Sequence, residues 1–229
     1  SHTVKVYFDT SAEHVVNDNG HEVAWAREDA ADLIAMKVGT TAQNFASSYS
    51  DRIDWGYGYV AAPAAETTAS VMTSATTSRS TFNQGGDATI GDLADDATGP
   101  RAADDDWIVL ALEFSLPVSK LAPTASAYMM LGLDQGFSQR YFGTDLVPYW
   151  KRDGALAVDM LASASAMALS LKDAAAEYDA AQYSAHSKFG TKYADLTALV
   201  YRQTTGAIEK TWNPLLNETW FFMKEISSD

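Results

Sequence analysis

The spacing of apolar residues changes period once along this 229-residue chain, near residue 143, and that change limits the architectures open to it. Before it, short runs follow the period of two that a strand imposes on its faces. Val4, Val6 and Phe8 alternate with Lys5, Tyr7 and Asp9. Ile53, Trp55, Tyr57 and Tyr59 alternate with Asp54, Gly56 and Gly58. Residues 107–114 are almost continuously apolar, as a strand covered on both faces must be. Residues 127–133, 23–27 and 33–38 read as further strands. Strands without long intervening helices point to an antiparallel sandwich over residues 1–143.

After residue 143 the period becomes helical. Leu156, Met160, Met167, Leu171 and Tyr178 fall on one helical face, with alanine filling much of the remainder. Gly190 suits a C-cap or hinge. Tyr193, Leu196, Val200, Gln203 and Ala207 mark a second helical face, and Pro214 lies beyond it as a stop. The fold class expected is therefore α+β: an antiparallel β-sandwich, then a helical segment over residues 144–229. Residues 64–106 interrupt the strands with Ala, Thr, Ser, Gly and Asp. A short helix over 67–79 is one reading, against the poor propensity of Thr and Ser.

Composition removes several function classes. The net charge of −14 repels phosphate backbones, so no nucleic-acid partner is expected. No apolar run approaches the ~20 residues that span a bilayer, so no membrane partner is expected either. Cysteine is absent, which removes disulfides and thiolate chemistry. His2, His14, His21 and His186 show no zinc-ligand spacing, no cofactor loop occurs, and neither a metal nor a cofactor is expected. Asp104, Asp105 and Asp106 carry the hard oxygens Ca²⁺ prefers, but their spacing matches no EF-hand loop and reads as a solvated turn. The acid load is uneven: residues 1–143 hold 19 acids against 8 bases, residues 144–229 hold 11 against 8.

Three candidate sites remain. The stripe of Trp55, Tyr57 and Tyr59 could stack on a sugar, although cross-strand packing is the plainer reading. Asn217-Glu218-Thr219 is an N-glycosylation triplet and suits a secreted protein. At the end of the chain, Trp220, Phe221, Phe222, Met223 and Ile226 adjoin Lys224, Glu225 and Asp229. Acids and a base beside a dense apolar segment are the ingredients of a site with shifted pKa values. The alternative is a buried salt bridge at a domain junction. So bulky a terminus reads as one wall of something larger, and the chain is expected to be a piece of a longer protein.

Several stretches resemble the N-terminal domain of the glutaminase A family of secreted fungal and bacterial proteins. They are residues 4–13, the Trp55-Gly56-Tyr57 strand, Arg101-Ala102 with Asp105-Asp106-Trp107, Pro148-Tyr149-Trp150, residues 192–196 and 201–203, and above all residues 222–229. Residues 64–100 carry no such likeness. The resemblance implies a β-sandwich followed by the start of an α/α-toroid-like domain, and hydrolysis of L-glutamine to L-glutamate and ammonia. It implies as partners a small-molecule substrate and the remaining helical domain of the same protein. It assigns no catalytic residue here. Glu225 and Asp229 are the catalytic candidates, and Lys224 the substrate-binding one, from their chemistry alone. The rival classes are a glycoside hydrolase-like enzyme and a non-catalytic carbohydrate-binding domain using Trp55 or Tyr57.

Overall fold

The computed structural model describes residues 2–45, 54–122 and 124–223. It forms two compact units, Ser1–Gln135 with Ala157–Ser165, and Gly136–Leu156 with Ala166–Asp229.

The first unit is an antiparallel β-sandwich. One sheet has the order β1-β7-β5, from His2–Ser11, Ile108–Val118 and Ala69–Ser74. The other runs β6-β2-β3-β4-β8, from Arg101–Ala102, Glu22–Ala30, Leu33–Thr40, Tyr57–Pro63 and Met130–Asp134. The continuous apolar run lies in β7, the middle strand of its sheet, and residues 108–114 are all buried. Ile108, Leu110, Leu112 and Phe114 share one core with Val23, Met36, Val38, Val60 and Ala62 of the facing sheet. Val109 and Ala111 point the other way, into a second cluster with Ala75 and Ile90. Both faces are covered, so polar alternation has no place here. Each large side chain fully buried in this strand contributes roughly 1.5–3 kcal/mol.

The helix considered over 67–79 divides in two. Residues 69–74 are strand β5, paired with β7 from Ala69↔Glu113 to Ser74↔Ile108. Val71 and Thr73 are β-branched and fit that pleated position. Only then does helix α1, Ala75–Asn83, begin, with Ser74 Oγ accepting from Thr77 N as its N-cap. Strand β8 starts at Met130, so Ala127 and Met129 lie outside it and pack against the core.

In β1 the alternation is present but its burial is inverted. Val4 and Val6 are 47% and 40% exposed, and only Phe8 of that face packs on the core. Lys5, Tyr7 and Asp9 are half-buried on the face that α1 covers. Lys5 Nζ donates to the carbonyls of Gly86 and Ala88 and lies 3.8 Å from the fully buried Glu113 carboxylate. Tyr7 stacks on Phe82 at 5.0 Å.

The second unit contains most of α2, Ala157–Ser187, and all of α3, Thr191–Ala207. Gly190, at φ 108°, joins the two helices in a conformation that favours glycine. This unit also holds a four-stranded sheet, β12-β11-β10-β9, from Glu218–Met223, Ile208–Asn213, Thr144–Pro148 and Gln139–Tyr141. The spacing of the sequence predicts only helix over residues 144–229, where β10, β11 and β12 lie. α3 ends at Ala207, and Pro214 belongs to the β11–β12 turn rather than to a helix stop. Asn213 Oδ1 accepts from Leu215 N and Leu216 N to close that turn. The hairpin escaped notice because the buried face of β11 is polar: Thr211 and Asn213 are buried while Ile208 is exposed.

Candidate functional site

Of the sites read from the sequence, Lys224, Glu225 and Asp229 lie outside the described residues, as does Ile53 of the aromatic stripe. Asn217 is exposed in the β11–β12 turn at φ 58°, and Thr219 pairs with Trp212 in the hairpin. The aromatic stripe does not form an open platform. Tyr59 is buried to 6% exposure against Gly132, whose missing side chain leaves room for Met160 and Leu161. Burial pushes the Tyr59 hydroxyl pKa up, with the charges of Asp134 and Glu28 adding to it. Tyr57 lies under the Lys37 ammonium, which is itself paired with Glu28. The acidic run makes a turn: Asp106 accepts from Ser74 Oγ, and the Asp105 carbonyl accepts from Arg101 Nε. Among the described residues no three His, Asp or Glu side chains converge as metal ligands.

The second unit carries a groove of about 640 Å³ between α2 and α3. Tyr178, Gln182 and His186 recur every four residues along α2, and Ala194, Ala198, Tyr201 and Arg202 fall on one face of α3. The two alanines open the floor. Arg202 Nη2 donates to Asp179 Oδ2 at 3.0 Å. The Tyr178 and Tyr201 rings lie 5.2 Å apart and their hydroxyls are linked. Tyr178 donates in that link, which raises its pKa; Tyr201 accepts from Tyr178 and Thr205, which lowers its own. His186 Nδ1 bonds the Gln182 carbonyl at 2.8 Å.

The groove can recognise a polar ligand, through a guanidinium, three phenols and an imidazole. Amide hydrolysis needs more: a water activator, a proton donor and oxyanion donors around one point. Among the described residues the one carboxylate lining the groove, Asp179, is engaged by Arg202. The sequence announces this groove only by the helical spacing of polar aromatics and small residues, which resembles ordinary packing.

A β-sandwich followed by antiparallel helices defines the class: a sandwich leading into a helical segment. The chain belongs to the family described as a domain of unknown function (DUF5127), whose model matches residues 1–185. Residues 190–229 match the model of the glutaminase A six helical-hairpin domain. The two matches together give the chain a glutaminase A-like domain architecture. No curated protein and no solved structure gives a significant match. Among the described residues no helix is long and apolar enough to cross a membrane.

Proposed function

We propose that this chain is the N-terminal part of a secreted glutaminase A-like hydrolase, which converts L-glutamine and water to L-glutamate and ammonia. The observation that carries the reading is the glutaminase A hairpin match over residues 190–229, beginning shortly after the match to the sandwich family ends. In this reaction water attacks the side-chain amide carbon, the C–N bond breaks, and ammonia leaves after gaining a proton. Glu225 and Asp229 are proposed as water activator and proton donor, and Lys224 as the substrate contact. A carboxylate beside an apolar segment is the residue type suited to either proton-transfer role. The partner proposed is the rest of the helical domain, because a six-hairpin domain needs more helix than 40 residues hold. Its further helices would cover Leu171, Leu196 and Val200, which are more than half exposed. Glycosylation at Asn217 belongs to the same reading, and the exposed turn leaves that amide accessible.

Ammonia release from L-glutamine tests it. Residues 1–229 alone are expected to release none, and the protein extended through all its hairpins is expected to turn over. In the extended protein Glu225→Gln should lower kcat by about 10²-fold or more at unchanged melting temperature. An inactive extended protein would sink the glutaminase reading. Turnover by residues 1–229 alone would show that these residues complete the active site, and a fully active Glu225→Gln enzyme would remove that residue from the mechanism.

A further inference from the structure

The sandwich unit carries a cleft that neither the family match nor the glutaminase reading assigns. It encloses about 320 Å³ and is lined by Ser11, Glu13, Ala75, Thr76, Arg79 and Trp107. That volume lies at the small end of ligand pockets. Trp107 stands immediately before the buried strand β7, yet it is 37% exposed. The chain holds it there against its backbone preference. Asp106 and Trp107 have φ of 60° and 37°, a left-handed conformation that costs roughly 1–2 kcal/mol per non-glycine residue. Two bonds hold the kink: Ala75 N donates to the Trp107 carbonyl at 3.0 Å, and Ser74 Oγ donates to Asp106 at 2.8 Å.

Arg79 is held as firmly. Its Nε and Nη2 donate to the two oxygens of Asp9 at 2.7 and 2.8 Å. Asp9 also accepts from the Tyr7 hydroxyl, which bonds the buried Ser78 hydroxyl. The guanidinium plane is therefore set, and among the described residues Nη1 has no partner. Among the described residues Glu13 is engaged only by long bonds, from Ser11 Oγ at 3.3 Å and Asn19 Nδ2 at 3.4 Å, which leaves its carboxylate acceptor capacity to spare. Thr76 adds a hydroxyl.

These groups select among ligand classes. Glu13 repels an anion, and a cation would leave unanswered the Nη1 donor of Arg79, whose charge Asp9 already balances. What remains is a neutral molecule with several hydroxyls and one apolar face. A hydroxyl can donate to Glu13 and another accept from Arg79, while weakly positive C–H groups lie on the negative face of the indole. We propose that this cleft is a binding site for a neutral saccharide of one or two rings, stacked on Trp107 and hydrogen-bonded by Glu13 and Arg79. The site is separate from the Trp55 and Tyr57 stripe and independent of the glutaminase reading.

Saturation-transfer NMR and calorimetry on the intact chain, with D-glucose, D-galactose, D-mannose and cellotetraose as probes, test it. At least one should bind with a Kd of about 1 mM. Trp107→Ala and Glu13→Gln should each weaken that sugar about tenfold, equivalent to one lost stacking or charged hydrogen-bond contact. Trp107→Phe should retain most of the affinity. Acetate and tetramethylammonium should not compete. If Trp107→Ala fails to fold, Glu13→Gln and Thr76→Val decide. No binding by any of the four sugars at concentrations about tenfold above the expected Kd overturns the proposal. So does competition by either ion, or sugar binding that survives the folded variants unchanged.

Discussion

Strand β7 and the helix pair α2 and α3 each carry a row of large apolar residues in the sequence, and they differ completely in what they bury. Residues 108–114 of β7 are all closed off from solvent. The two helices together bury only Ala157, Leu161 and Ala194. Leu169, Leu171, Leu196 and Leu199 are all more than half exposed. Periodicity thus reports which face of an element is apolar, whereas cover has to come from other elements. Around β7 the cover is supplied twice, by the facing sheet and by α1 with the turn at Ile90.

A matched pair of substitutions puts this contrast under the greatest load. Val109→Asp places an unpaired charge in a fully buried position and should cost several kcal/mol, comparable to the whole stability of many domains. Leu199→Asp, on α3, should stay within about 0.5 kcal/mol. Thermal melting measures both. A severe loss in Leu199→Asp would mean that this helix face is covered in solution, and the contrast would fail.

Removing a capping group is milder. Ser74→Ala deletes the acceptor for Thr77 N at the start of α1 together with the bond from Ser74 Oγ to Asp106, and should cost about 1–2 kcal/mol. Because α1 covers the outer face of β7, a denaturant midpoint unchanged by this variant would show that α1 contributes little to that cover.

The smallest effect is in acid. Burial alone would raise the Asp9 pKa, but the hydrogen bonds from Arg79 and Tyr7 outweigh it and hold the carboxyl below its ordinary 3.8. Asp54, also buried, is held low in the same way by His21, Asn44 and Asn17 N. A folded pKa below the unfolded one stabilises above the unfolded value, and that stabilisation is lost as pH falls through the folded value. The wild type should therefore lose melting temperature as pH drops below about 4. Asp9→Asn should start lower at pH 7 and fall less steeply. Parallel acid limbs for the two proteins would exclude Asp9 as a contributor.

Most of the sandwich was legible because its signals are local. The continuous run in β7 follows from which faces a strand must bury, whereas the alternation read over residues 53–59 meets strand only from Tyr57, and β4 is buried on both faces. Helices α2 and α3 announced themselves by their spacing for the same reason. The family resemblance reached the architecture, through motifs no periodicity argument uses. Other features were set by contacts far along the chain. Residues 69–74 became strand because β7 offered them an open edge, against a composition that also allowed helix. Lys5, Tyr7 and Asp9 became the covered face of β1 because α1 lies on that side, so the polar row was buried and Val4 and Val6 were left exposed. The β11–β12 hairpin was hidden because its buried positions, Thr211 and Asn213, are polar and are satisfied by bonds to Trp220, Leu215 and Leu216. The Trp107 cleft could not be read from spacing either. Ser11 with Glu13, Thr76 with Arg79, and Trp107 come from three separate stretches of the chain, and the pairing of β1 with β7 and the docking of α1 bring them together. Sequence by itself determined which faces are apolar, since that depends on each element's own period. Tertiary structure decided which of those faces are covered and which polar groups meet, because both depend on elements far away along the chain.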